Sequence, residues 1–205
     1  KDIFNYAATN NEAARQATGE YLLFLNNDVE VITKNWMEEM LGYCQREDVG
    51  IVGAKLYYPD DTVQHAGVIL GLGAARAAGH VFYGVPRAAF TYRGQTNSTQ
   101  DLSAVTAACM MVKRSIHEKI GGFNQELQVA FNDVDYCLRV RKLGKLVVFQ
   151  AFVELYHYES QSRGLEDTPE KKARFEKEAA LFRQTWKKVL EKGDPYYNPN
   201  LTLVD

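Results

Sequence analysis

The chain has 205 residues, 46% of them hydrophobic and 24% charged, enough apolar material for the core of one ordinary globular domain. Its formal charge of -2 excludes the footprint of a nucleic-acid binder, so no nucleic-acid partner is expected. Cys44, Cys109 and Cys137 are odd in number and without a C-x-x-C, which argues against a disulfide framework or a zinc site and fits a reducing compartment.

Residues 6 to 17, "YAATNNEAARQA", are alanine-rich with a stripe at Ala7, Ala14 and Ala17, and Gly19 follows as a stop, so the first element is a helix. Tyr21 to Leu25 is short and apolar on both alternations, the mark of a buried strand. It ends on Asn26-Asn27-Asp28, which are turn-formers by type. They also stand at the C-terminal edge of a strand, where open α/β sheets bind ligands. Both readings stay open here. Thr33 to Gln45 predicts an amphipathic helix, with Trp36, Met40 and Cys44 at every fourth residue. "VGIVGAKLYY" reads as another buried strand closed by the turn "PDD" at 59 to 61, and "VQHAGVILGLG" as the next. The alternation predicts an α/β domain with a largely parallel sheet.

Residues 73 to 100 lose periodicity and read as a long loop carrying Phe82, Tyr83, Phe90 and Tyr92. "GLGAAR", at 71 to 76, begins like a dinucleotide fingerprint. Arg76 stands where the third glycine is needed, which rules against a Rossmann cofactor site. "LSAVTAACMMVK" then predicts a strand, followed by a short helix and the turn "GGF" at 121 to 123. Asn132 to Leu143 is a helix stopped by Gly144, and "KLVVFQ" and "FVELYHY" are strands. The last helix has Thr168 as its cap and Pro169 at its first position. Its stripe of Phe175, Ala179, Phe182, Trp186 and Val189 predicts docking on its own domain. No apolar run reaches the ~18 residues of a membrane span. Because the chain opens on Lys1 rather than Met, the lack of a leader is uninformative.

Local pattern ranks no site highly. Asn132, Asp133 and Asp135 sit at a helix start, where capping alone explains them, with Asn132 as the cap. Successive helical residues turn by ~100°, so Asp133 and Asp135 point to different sides and at most one faces a site. His157 ends a strand, and His65, His80 and His117 show no metal-ligand spacing with it.

The joint order says more. "LNND", then "VTAACMMVKRSIHEKIGGFNQEL", then "FNDVDYCLRVRKLGK", then "ELYHYESQSRG" resembles inverting family 2 glycosyltransferases of the GT-A fold. The tail "DPYYNPNL" resembles the end of bacterial members that build surface polysaccharides. The resemblance implies an α/β, GT-A-like fold, its mixed, mostly parallel sheet flanked by helices, without the N-terminal nucleotide-base half. Residues 1–160 would be part of the catalytic domain, with residues 161–205 as a loop, helix and tail packed on it.

The same resemblance implies the chemistry. A sugar passes with inversion from a nucleotide-sugar donor to a saccharide or lipid-linked saccharide acceptor in cell-surface polysaccharide synthesis; from its own polar and aromatic residues, part of the aperiodic loop is expected to line the acceptor side. Asp133 is the catalytic base. Asp28 and His157 hold a divalent metal, Mn²⁺ or Mg²⁺, while Asn26 and Arg163 bind the donor diphosphate, Arg163 being equally readable as a solvated loop residue. Two departures stand out: Asn26 replaces the first acid of the metal motif, and Asn132 replaces the Glu beside the base. They support an alternative, a non-catalytic carbohydrate- or partner-binding module on the same fold. The expected location is cytoplasmic, peripheral at the inner face of the membrane, with self-association through exposed apolar sheet.

Overall fold

The computed structural model describes residues 4–159 and 168–204. Helix α1 (Tyr6–Gln16) starts where the Asn5 side chain accepts the Ala8 N–H, and it buries Ala7 and Ala14 as the stripe requires. Its buried Asn11 accepts the Phe123 N–H (2.7 Å) and donates to the Phe123 carbonyl (2.8 Å), pinning the "GGF" turn. β1 (Tyr21–Leu25), β2 (Val29–Val31), α2 (Trp36–Cys44) and β3 (Val49–Tyr57) follow. α2 begins at Trp36, the first residue of its apolar period, rather than at the expected Thr33. The Thr33 N–H donates to the Glu154 carbonyl and the Thr33 hydroxyl to that of Phe152, so this residue belongs to the sheet edge.

"VQHAGVILGLG" is two strands, β4 (Val63–His65) and β5 (Val68–Leu70), rather than one. The break falls at Gly67, whose φ is +110° and where a Cβ would lie 2.1 Å from Leu102 Cδ1. β4 pairs with β3, whereas β5 pairs with β6 (Ala78–His80) in a separate ribbon. The stretch expected to be aperiodic thus carries β6, and also a 3₁₀ segment at Tyr92–Asn97. Arg87 to Glu154 (2.8 Å) and Lys55 Nζ to the Thr96 carbonyl (2.9 Å) tie it to the sheet.

β7 (Gln100–Asp101) precedes β8 (Cys109–Lys113), which covers only the second half of the run beginning at Leu102. Helices α3 (Arg114–Ile120) and α4 (Asn132–Lys142) lead into β9 (Leu146–His157). β9 is a single strand where two were expected. Its register against β3 slips so that Ala54 faces Gln150 while Lys55 faces Glu154. Helices α5 (Pro169–Thr185) and α6 (Lys187–Lys192) close the chain.

The main sheet runs β1-β8-β3-β9-β2, flanked by helices, so the mixed α/β expectation holds. The balance of directions differs: β3–β9 is parallel, and the other pairings described are antiparallel. The reason is β8. β1 and β3 point the same way, as the strand–helix–strand order demands, but β8 wedges between them and reverses both contacts.

One face of the sheet packs on α2 through Met40 and Cys44, while α1, α4 and α5 share the larger core with Phe182 and Trp186. The helix expected to run through Val189 divides at Trp186 into α5 and α6, and Ala179, Phe182 and Trp186 of its stripe are buried in the larger core. The three cysteines are free and buried. Among the described residues, no helix is long and apolar enough to cross a membrane.

Two histidines of this core predict a pH dependence. Burial holds the His65 and His117 imidazoles below their ordinary pKa; His80 and His157 add to the shift for His65, and Arg139 and Arg114 for His117, against an opposing Glu118. Unfolded, each returns to ~6.5, so below that pH the unfolded chain takes up protons that the folded one refuses. Stability is therefore expected to be full above about pH 6.5. It should fall on acidification by up to ~1.4 kcal/mol per pH unit for each histidine until its folded pKa is reached. A urea midpoint that stays flat from about pH 7 to 5.5 would contradict this.

Candidate functional site

β1 delivers Asn26, Asn27 and Asp28 to its C-terminal end, and β9 delivers His157 to the same edge. The pairing of β2 with β9 places Val29 opposite His157, and the Tyr158 N–H donates to the Asp28 carbonyl (2.8 Å). Asp28 Oδ1 consequently lies 3.1 Å from His157 Nε2. Asn26 Nδ2 lies 3.1 Å from the same nitrogen.

Gln64 of β4 sets the state of this imidazole. Its Nε2 donates to the His157 carbonyl (3.2 Å) and toward Glu159 Oε2 (3.4 Å), which leaves its Oε1 as an acceptor 2.6 Å from His157 Nδ1. Nδ1 therefore carries the proton, and the Nε2 lone pair faces Asp28 and the Asn26 amide, whose Nδ2–H it accepts. Burial lowers the His157 pKa, with Asp28 and Glu159 pulling the other way, so the neutral ring is the form at pH 7.

Asp28 Oδ1 is buried and satisfies no hydrogen bond among the described residues. An orphaned carboxylate oxygen beside an imidazole lone pair is a donor set that a divalent cation fits. The described residues bring no third His, Cys, Asp or Glu to it.

Asp133 opens onto the same cleft, of about 880 Å³, as Asn26, Asp28 and His157. Its Oδ1 accepts the Val134 N–H (2.8 Å) and its Oδ2 the Ala107 N–H (3.3 Å). Thr106 and Ala107 turn their N–H groups to His65 and Asp133, and β8 begins only at Cys109, although the Ala108 carbonyl still accepts the Asn26 N–H at the end of β1 (2.9 Å). Asp135 points elsewhere, as helical geometry requires. It is buried, accepting Trp186 Nε1–H (2.9 Å) on one oxygen and Arg139 Nε–H (2.8 Å) on the other.

Asn132 is not the cap. It is the first helical residue and donates to the Val129 carbonyl, while Phe131 occupies the cap position at φ 60°. Phe131 holds that left-handed conformation with its ring between Phe175 (5.4 Å) and Phe182 (5.3 Å) of α5. Glu178, on the same helix, is 2% exposed and takes three consecutive N–H groups, from Gln128 (3.1 Å), Val129 (3.4 Å) and Ala130 (2.6 Å). The loop that launches Asp133 is thus clamped by a helix far downstream.

Sequence reasoning missed Gln64, Glu159 and Glu178. Gln64 left one trace, a polar side chain inside an apolar run; Glu178 looks like any solvated helix residue. Arg163 lies outside the described residues.

Residues 2–179 match the family model described as "Glycosyltransferase like family". The chain is 50% identical over 201 residues to an uncharacterised protein of Sinorhizobium fredii, covering 98% of this chain and 22% of that protein. It is 45% identical over 202 residues to the O-antigen biosynthesis protein RfbC of Myxococcus xanthus, covering 98% of this chain and 15% of that protein. It therefore spans a fifth or so of the curated relatives it matches. Among solved structures it is similar to GalNAc-T7 with UDP, GalNAc and Mn²⁺, at TM-score 0.64 and 12% identity, over 91% of this chain and 36% of the other. It is also similar to the mannosyltransferase PcManGT of Pyrobaculum calidifontis in complex with GDP-Man and Mn²⁺, at TM-score 0.57 and 15% identity, over 93% and 49%. At such identities these likenesses show the fold alone, the GT-A arrangement expected from the motifs.

Proposed function

The chain belongs to the glycosyltransferase-like family, and on that premise we propose that it serves sugar transfer from a nucleotide-sugar to a saccharide hydroxyl, with inversion, in surface-polysaccharide synthesis. The observation that carries the reading is the convergence of Asp133, Asp28 and His157 on one cleft from three separate stretches of chain. In this reading residues 1–160 are part of the catalytic domain, and the described portion of 161–205 packs against it.

Asp133 takes the proton of the acceptor hydroxyl as general base while the oxygen attacks the anomeric carbon in line. The N–H groups of Val134 and Ala107 hold its carboxylate in one orientation, so the acceptor meets an ordered base. Asn26 offers an amide to the donor's ribose or phosphate, and Arg163 is proposed as a cation for the diphosphate. A Mn²⁺ or Mg²⁺ held by Asp28 and His157 would neutralise charge on the leaving diphosphate. Gln64 keeps His157 in the tautomer that such an ion requires. We place the protein in the cytoplasm, at the inner membrane face, with saccharide or lipid-linked saccharide acceptors and a tendency to self-associate.

The test is release of nucleoside diphosphate from a panel of UDP- and GDP-hexoses by the full-length protein with Mn²⁺, with and without oligosaccharide acceptors. At least one donor is expected to be turned over. No release from any of them would reject transfer. It would favour a carbohydrate- or partner-binding module, the reading that the amides Asn26 and Asn132 support.

A further inference from the structure

A second cleft, of about 910 Å³, adjoins the first and shares Gln64, His80 and Glu159 with it. One wall is aromatic and ordered. The Tyr83 ring meets Tyr58 edge-on at 5.7 Å, and the Tyr58 hydroxyl lies 3.1 Å from that of Tyr83 and 3.0 Å from Glu159 Oε2. Tyr83 is nonetheless 65% exposed, and Tyr92, also on the lining, 46%.

The C-terminal tail supplies more of the lining through Tyr196, Tyr197 and Leu201. It is fastened there. The Leu70 N–H donates to Asp194 Oδ2 (2.8 Å), the Gly73 N–H donates to the Leu203 carbonyl (3.1 Å), and the Arg141 guanidinium covers the Tyr196 ring at 5.0 Å. Ordered aromatic faces left open to water are a feature of binding sites rather than of inert surface.

The lining chemistry selects the occupant. Among the described residues it contains no Lys or Arg and includes the Glu159 carboxylate, a poor setting for phosphate or any polyanion. A lipid tail would offer no partner to the Gln95 amide or to one oxygen each of Gln100 and Glu159, which make no hydrogen bond among the described residues. A pyranose satisfies both kinds of group, laying its C–H face on a tyrosine ring and offering hydroxyls to planar amides and a carboxylate. The volume, near the top of the ~300–1,000 Å³ of pockets that enclose drug-sized ligands, suits several sugar units better than one.

We propose that this cleft binds the acceptor chain as a neutral oligosaccharide, whose terminal hydroxyl passes Gln64, His80 and Glu159 to reach Asp133. The proposal rests on the transfer reading for its direction, because only then does the shared border join a chain to a base.

The experiment is retention of the full-length protein on an array of neutral and acidic bacterial polysaccharide fragments. Wild type is expected to bind neutral fragments. Tyr83→Ala and Tyr197→Ala should each weaken retention by about tenfold, the equivalent of one lost contact of ~1.4 kcal/mol. Phe90→Ala, which removes an exposed aromatic that does not line the cleft, should leave it unchanged. Retention that survives both tyrosine variants, an equal loss with Phe90→Ala, binding of acidic fragments alone, or no binding would each overturn the proposal. Diphosphate release from a nucleotide-sugar without acceptor, measured in parallel, should be untouched by Tyr83→Ala. Absence of release in wild type both with and without acceptor would sink the transfer reading while the array still decides the cleft's occupant.

Discussion

Replacing Asp133 by Asn is expected to lower turnover of the full-length protein by ~10²- to 10⁴-fold while donor affinity holds. The substitution keeps the shape of the side chain, and an amide oxygen can still accept the Val134 N–H that fixes it now. What disappears is the basicity. Asp135→Asn makes the matching control, because this carboxylate faces Trp186 and Arg139 rather than the cleft. Its cost should appear in denaturation, since the half-buried Arg139 guanidinium loses its ionic partner, and rate should follow only through the folded fraction. Single-turnover kinetics beside equilibrium donor binding separates the two. Near-wild-type rates for both variants would discard Asp133 as the base.

The second large effect is on metal affinity. Asp28→Asn removes the formal charge and leaves one neutral oxygen in place of two, whereas Gln64→Leu leaves both expected ligands in place and frees His157 to change tautomer. Loss of an outer partner of this kind typically costs ~10- to 100-fold in affinity, and Asp28→Asn should cost more than that. Calorimetric titration with Mn²⁺ reads both without any turnover. Unchanged Mn²⁺ affinity in Asp28→Asn would reduce the residue to a turn-former, as its neighbours Asn26 and Asn27 suggest on their own.

What could be read in the sequence was local. α1, α2, β3 and α5 declare themselves through apolar period, caps and stops, because each is stabilised largely by its own stripe meeting a core. The reading failed where a distant partner decides. Leu102 and Gly67 break one apolar run into strands of different sheets, and the Val68–Ala104 bridge belongs to neither strand pattern. Within residues 102 to 108, which look like strand, Ala107 and Thr106 give their backbone N–H groups to Asp133 and His65 instead.

The site divides the same way. Motif order marked Asp28, Asp133 and His157. The proximity of Asp28 to His157 depends on β2, three residues long and almost devoid of signal, pairing with the end of β9. Gln64 and Glu178 were invisible because an amide's or a carboxylate's role is set by what folds against it.

Glu178 also puts a clock on the nascent chain. Gln128 precedes its carboxylate partner by 50 residues, so at ribosomal speeds of about 5–20 residues per second the loop before Asp133 waits roughly 3 to 10 s for its clamp. Over that interval three backbone donors have only water to bind, and Phe131 lacks the two rings that hold its left-handed turn. The cleft can gather its side chains early, yet Asp133, the proposed base, is seated only once α5 has left the ribosome and docked. A chain stalled or cut ahead of that helix would carry the whole reactive set and still be unable to hold Asp133 in place.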